Sequence, residues 1–264
     1  MNIGIVGLGV VGTANKIGFE SLKHKVLIHD IKLNTRLKDL INSKIIFLCL
    51  PTPAKKSGEC DVSILESVIK NLSNLKYKGL IVIRSTITPG TTIKFQKKFK
   101  NNRIIFSPEF LRERHALKDF IKNQKILVIG TKNKNFFNKV KKAHKNLPEK
   151  TIHLKETEAE LIKYFNNTFA SLRVVFSNIF YELSKKYNCN YKKIKNTYLK
   201  TGKAKDFYLD VNKNLRGYGG MCLPKDTLSL IHTIKKNKLK FKLIESIHND
   251  NQLFKTTVFK KMRK

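Results

Sequence analysis

The chain has 264 residues, long enough for one large domain or for two of moderate size, each with its own core. Basic side chains outnumber acidic ones 54 to 19, a formal net charge of +35, but only eight of the 54 are Arg and the lysines are spread along the chain. That pattern reads as a solvated, lysine-rich surface with some pull on an anionic substrate, and it disfavours nucleic acid as the main partner.

In chain order, Met1 leads directly into the apolar run Asn2-Ile3-Gly4-Ile5-Val6, suited to a buried parallel strand and leaving no room for a signal peptide. Gly7, Gly9 and Gly12 follow with dinucleotide-fingerprint spacing, Val10 and Val11 opening the helix between them. The first glycine permits the tight turn, the second the close approach of a pyrophosphate, and the third close packing of helix on strand. The next strand, 25–29, ends at Asp30, an acid placed to bind the ribose hydroxyls and to repel a 2′-phosphate. NAD is therefore expected over NADP, although Lys32 stands close by.

Further strand-like runs at 45–50, 80–84, 104–106 and 126–129 alternate with helical segments, predicting an α/β fold with a doubly wound, mostly parallel sheet. Pro51 and Thr52 follow one strand and Ser85 and Thr86 another, so both loops fall at the C-terminal sheet edge, where such folds bind ligands. Near 147–150 the pattern changes, placing a dinucleotide-binding domain at 1–150 and a smaller all-helical domain at 151–264. A helix over 156–187 carries Leu161, Tyr164, Phe165, Phe169, Leu172, Val175, Phe176, Ile179, Phe180 and Leu183 on one broad face. Such a stripe predicts a homodimer packed through this helix, unless helices at 225–236 and 242–262 fold back over it. A helix at 191–200 completes the set.

Cys222 sits in a flexible, glycine-rich turn, Gly217-Tyr218-Gly219-Gly220-Met221-Cys222, beside Lys225 and Asp226, and is the candidate nucleophile. Cys49 lies in an apolar run, and Cys60 and Cys189 read as bystanders. No cysteine pair has CxxC spacing and no histidine has ligand spacing, so no metal is expected. Free thiols, with no apolar run near the ~20 residues that span a bilayer, suit a reducing cytoplasm.

Read together, the segments Gly7-Leu8-Gly9-Val10-Val11-Gly12, Leu50-Pro51-Thr52-Pro53, Ser85-Thr86-Ile87-Thr88-Pro89-Gly90-Thr91 and Ser107-Pro108-Glu109-Phe110-Leu111-Arg112-Glu113 resemble the UDP-glucose/GDP-mannose dehydrogenase family. Glu158-Ala159-Glu160-Leu161-Ile162-Lys163 with Asn167, and the Cys222 turn through Asp226, extend the likeness over nearly the whole chain. The resemblance implies a Rossmann-type NAD-binding domain and a helical domain that dimerises. It also implies four-electron oxidation of the C6 alcohol of a nucleotide sugar, UDP-glucose first, with GDP-mannose and UDP-N-acetylmannosamine as alternatives. By the same resemblance Cys222 holds the aldehyde and then the thioester, while Lys163 and Asn167 stabilise charge on oxygen. Asp226 and Thr86 assist deprotonation, and Glu113 activates the hydrolytic water. Glu109 contacts sugar or cofactor; Phe110, Leu111, Tyr218, Gly219, Gly220 and Lys225 line the sugar.

Two departures stand out. Arg114-His115 follow where the family often has a small residue, and nothing after Asp226 corresponds to the family's third, nucleotide-binding domain. Expectation therefore divides among an active minimal enzyme, half of a split enzyme completed by a separate chain, and a catalytically silent NAD-binding module.

Overall fold

The computed structural model describes residues 1–254, and they divide into two compact units. The first comprises Met1–Pro53 and Asp61–Lys163; the second comprises Ala54–Cys60 and the chain from Tyr164 onward.

In the first unit, β1 (Asn2–Val6), α1 (Val10–Ser21), β2 (Lys25–His29), β3 (Ile45–Leu48), α2 (Ser63–Asn74), β4 (Leu80–Ile83), α3 (Thr91–Lys98) and β5 (Arg103–Phe106) succeed one another. They are followed by α4 (Ala116–Ile121), β6 (Ile126–Gly130), α5 (Lys134–His144), β7 (Lys150–Leu154) and the opening turns of α6 (Glu156–Lys186). One seven-stranded sheet has the order β2-β1-β3-β4-β5-β6-β7, and every pairing is parallel except β5 with β6. Those two strands meet at a single register pair, Phe106 with Gly130. Ser107 bridges the junction, its hydroxyl donating to the Val128 carbonyl at 2.7 Å while accepting from Arg84 Nη1 at 2.9 Å.

The pleat sends alternate residues to opposite faces. Ile46, Leu48, Ile81 and Ile83 pack on Leu65, Ile69 and Leu72 of α2 and on Phe95 of α3. Ile45, Phe47, Leu80 and Val82 pack on Phe19 of α1, Phe120 of α4 and Val140 of α5. Both layers are almost wholly apolar, as a strand covered on both faces requires. His144 is an exception: it lies in a cage of Phe19, Phe47 and Phe120 rings, and burial drives its pKa down to about 3.

The six expected strands are present. β7 escaped sequence reading because Lys150-Thr151-Ile152-His153-Leu154 alternates polar and apolar residues directly after a proline turn and lies at the sheet edge. Its His153 ring stacks on Phe137 at 4.3 Å.

The second unit contains the rest of α6, then α7 (Tyr191–Lys200), α8 (Leu223–Lys236) and α9 (Leu243–Leu253). The expected helix over 242–262 is found as far as Leu253; its part from 255 on lies outside the described residues. Packing of α6 corrects the sequence reading. Tyr164 and Val175 turn inward, but so do Asn167, Thr168, Ser171, Ser177 and Asn178. Phe165 (68% exposed), Phe169, Phe176, Phe180, Ile179, Leu161 and Leu183 face outward. Helices α8 and α9 do not cover that stripe. No helix among the described residues is long and apolar enough to cross a membrane.

Candidate active site

Three glycines shape the loop between β1 and α1. Gly7 adopts φ +88°, and a Cβ there would lie 2.5 Å from the Cys49 carbonyl oxygen; at Gly12 it would lie 1.8 Å from the Gly7 oxygen. Both are excluded sterically. Gly9 is different: a Cβ there would meet nothing within 4 Å. That opening lies at the N-cap of α1, whose first-turn N–H groups have no intrahelical acceptors. A pyrophosphate fits such a place, with the N–H groups of Val10, Val11 and Gly12 turned to it.

Asp30 ties this loop to the end of β2. Its carboxylate accepts the Leu8 N–H at 2.6 Å and the Lys32 N–H at 2.9 Å, and those bonds hold its pKa below the usual carboxylate range. It is therefore an anion fixed beside the glycine loop, as a ribose-binding acid must be. Along the same sheet edge, Ser85 Oγ accepts from the Leu50 N–H at 2.9 Å and donates to the Leu50 carbonyl at 2.6 Å. Thr52 Oγ1 donates to the Thr86 carbonyl at 2.7 Å, so the loops after β3 and β4 are stitched together. Pro51 is exposed at the turn and Thr86 is half-buried. These residues fit NAD: an open glycine, a helix N-terminus, a fixed acid and a preorganised loop pair.

Glu109 is buried, and its carboxylate is paired with the guanidinium of Arg84, itself fully buried. Asn15 Nδ2 reaches the same carboxylate at 3.4 Å, and the Glu109 carbonyl accepts Lys163 Nζ at 2.5 Å. Glu109 thus spends its charge inside the first unit. Phe110, whose ring lies under Lys163 at 5.5 Å, and Leu111 are half-buried. Glu113, in a short 3-10 turn with Arg114 and His115, is exposed. Sequence reading missed Arg84; the signal was a charged residue closing an apolar strand directly before Ser85. It also missed the role of Glu160, whose carboxylate accepts the Gly90 N–H at 2.5 Å and the Thr92 N–H at 2.8 Å, capping α3 from another helix.

In the second unit Cys222 is the N-cap of α8 and is exposed. Its carbonyl accepts the Asp226 N–H at 2.9 Å. A thiol at a helix N-terminus is placed where the macrodipole favours thiolate. Cys49 is not so placed: desolvation pushes its thiol up to about 12. Cys60 is buried, and Cys189 is exposed.

Asp226 is fully buried, and its carboxylate accepts Asn167 Nδ2 and Lys225 Nζ, each at 2.5 Å. Two hydroxyl pairs extend the α6–α8 seam: Tyr164 with Ser229 at 2.8 Å and Ser171 with Thr227 at 3.1 Å. The turn before Cys222 is anchored at its start, not loose as its glycines suggest. Asn251 clamps Tyr218 from both sides, accepting its N–H at 2.7 Å and donating to its carbonyl at 2.9 Å. Asn178 Oδ1 accepts Arg216 Nε at 2.7 Å and the Gly217 N–H at 3.3 Å. Gly219 and Gly220, half-buried, then lead to the exposed Met221 and Cys222, with Gly220 at φ +88°. Among the described residues no cluster of three metal-ligating side chains occurs.

Residues 31–148 match the NAD binding domain, and 157–253 the central domain, of the UDP-glucose/GDP-mannose dehydrogenase family. A UDP-glucose 6-dehydrogenase of Rickettsia bellii is 29% identical over 96% of this chain and 67% of the relative. One of Campylobacter jejuni is 30% identical over 97% of this chain and 73% of the relative. The solved structure of a UDP-glucose dehydrogenase from Pyrobaculum islandicum superposes with a TM-score of 0.85 at 23% identity, covering 96% of this chain and 68% of that one. The chain spans roughly two thirds to three quarters of the length of these relatives.

Proposed function

Because this chain belongs to the UDP-glucose/GDP-mannose dehydrogenase family and is an NAD-dependent nucleotide-sugar dehydrogenase, we propose that its reaction is the oxidation of UDP-glucose to UDP-glucuronate. The observation that carries this reading is the exposed Cys222 at the N-cap of α8, one turn ahead of the buried Asp226–Asn167 pair. NAD, when bound, accepts a hydride in each of two oxidations. Gly7, Gly9, Val10, Val11 and Gly12 would hold its phosphates, Asp30 its ribose hydroxyls, Pro51 and Thr52 would line the cofactor, and Thr86 would bond to its nicotinamide side.

In the first oxidation the alcohol proton passes to the Asp226 carboxylate through a water that Thr86 helps to hold, leaving an aldehyde. The Cys222 thiolate adds to that aldehyde as a thiohemiacetal, whose oxidation leaves a thioester; water then cleaves the C–S bond and restores the thiol. Lys163 and Asn167, one helical turn apart on α6, present N–H donors to the oxygen that gains charge. We assign water activation to Glu113, whose carboxylate is exposed, because that of Glu109 is engaged by Arg84. Phe110, Leu111, Tyr218, Gly219, Gly220 and Lys225 shape the sugar pocket. In domain terms, 1–150 binds NAD and 151–264 carries the nucleophile.

The test is stoichiometry: NAD with UDP-glucose yields two NADH per sugar. One NADH with accumulated aldehyde would remove Cys222 from its role. Turnover only with GDP-mannose or UDP-N-acetylmannosamine would change the substrate. NAD binding in calorimetry without turnover on any nucleotide sugar would favour a silent module or half of a split enzyme. Glu113→Gln should let thioester accumulate on Cys222, seen by intact mass; accumulation in Glu109→Gln alone would move the assignment to Glu109.

The outward stripe of α6 supports a homodimer. Phe165–Phe169 and Phe176–Phe180 form ring pairs with centroids 6.1 and 4.8 Å apart, two aromatic patches presented to water along the helix. Sedimentation at micromolar protein should give twice the chain mass, and Phe176→Asp should return the monomer. A wild-type monomer would end the proposal.

A further inference from the structure

At the sheet edge opposite the glycine loop, β5 begins with Arg103. Strand β6 runs antiparallel to β5, so the chain beyond Gly130 returns along it to Asn133, the N-cap of α5. Between these segments lies an open hollow of about 680 Å³, lined by Arg103, Lys139 and Lys142, by Asn133, Asn135 and Asn138, and by Phe136.

Its electrostatics are one-sided. No carboxylate lines the hollow, and none of the ion pairs formed by the described residues includes Arg103, Lys139, Lys142 or the nearby Lys44. Lys139 is half-buried; lost hydration, followed by repulsion from Arg103 and Lys44, lowers the pKa of its ammonium. Some lysines elsewhere on this surface pair with acids, as Lys16 does with Glu20 and Lys125 with Glu149. Here like charges converge on a concavity instead, an arrangement that destabilises the protein until an anion arrives.

The size and donors define that anion. A hollow of this volume is in the range of small-molecule sites and too large for a halide. The guanidinium fork of Arg103 matches phosphate oxygens bidentately, and the lysines and amides add point donors without an acceptor of negative charge.

We propose that this hollow binds a small phosphate-bearing anion of at least two negative charges, at a site separate from the dinucleotide loop. Arg103 and Lys139 are its principal ligands and Lys142 closes its outer side.

Pyrophosphate titrated calorimetrically into the full chain, at saturating NAD to occupy the glycine loop and at about 0.15 M salt to screen loose attraction, tests the site. Saturable binding is expected, weakened about tenfold or more by Arg103→Gln/Lys139→Gln, a loss of two charge-assisted partners. The charge-matched control Lys192→Gln/Lys193→Gln, exposed on α7, should change it less than about twofold. Equal losses in both double variants, or no saturable binding in the wild type, would overturn the proposal. Should the first variant fail to fold, Lys142→Gln alone must still weaken binding severalfold while the thermal midpoint holds.

Discussion

The two units are held together by different forces. The sheet unit is an apolar sandwich in which alternate strand residues, Phe47 and Ile81 among them, are sealed under helices on both faces. Among the described residues the helical unit has a smaller apolar cluster, Val175, Tyr218 and Ile247 buried, with half-buried side chains such as Leu172, Leu223 and Ile244 packed against them. Beside it, polar contacts tie α6 to α8, Asn167 to Asp226 and Tyr164 to Ser229, and tie α6 and α9 to the turn before Cys222, Asn178 to Gly217 and Asn251 to Tyr218. Burial is tolerant of direction, whereas hydrogen bonds fix it. The unit that carries the proposed nucleophile thus relies more on the directional force, and the apolar stripe of α6 is left facing outward.

Substitutions can break or sharpen this contrast. The largest effect should be Cys222→Ala, costing at least about a thousandfold in overall turnover, or ~4 kcal/mol of barrier. Because the side chain is exposed, its stability should move by under about 0.5 kcal/mol. Steady-state NADH production and a urea melt measure the two. Phe47→Ala should show the converse, losing ~3–5 kcal/mol of stability through an unfilled cavity, read as a fall in the urea midpoint. If it cost less than any polar substitution in the helical unit, the contrast would collapse.

Asn251→Ala leaves the Tyr218 N–H and carbonyl buried and unpaired, a cost of about 2 kcal/mol. Turnover should fall with it, since the turn leading to Cys222 loses its clamp; unchanged kcat would show that the clamp is only structural. The smallest effect concerns His144, a titrating group inside the apolar sandwich. His144 stays neutral in the fold down to about pH 3, whereas the unfolded chain protonates it near the ordinary 6.5. The unfolded state therefore binds more protons between those values, and stability falls as acid is added, by about 1.5–2 kcal/mol from pH 7 to pH 5. His144→Phe should flatten that limb in urea melts at the two pH values.

Legibility in the sequence follows the same division. Strands such as Ile45-Ile46-Phe47-Leu48 are apolar throughout because both faces are covered, and a run of that kind can be read without knowing its neighbours. The glycine loop was legible since sterics at Gly7 and Gly12 admit no side chain. On α6, periodicity located the helix but not its inward face: Asn167, Ser171 and Asn178 are buried because partners on α8 and the Gly217 turn satisfy them, and those partners are distant in sequence. Cys222 stood out from its glycines, yet those glycines suggested looseness where Asn251 and Asn178 impose order. Arg84 was hidden in a strand because its partner, Glu109, lies 25 residues away.

The single register pair joining β5 to β6 has a consequence for how the sheet opens. Strands β1 to β5 are knitted by continuous ladders, and β6 and β7 by another, but between the two sets the backbone has almost no ladder of its own. Local unfolding follows cooperative groups of this kind. The amides of 127–130 and 151–154 should therefore exchange with deuterium as one block, ahead of those in β1, β3 and β4, and Ser107→Ala, which removes the hydroxyl bridge to Val128, should hasten that block alone.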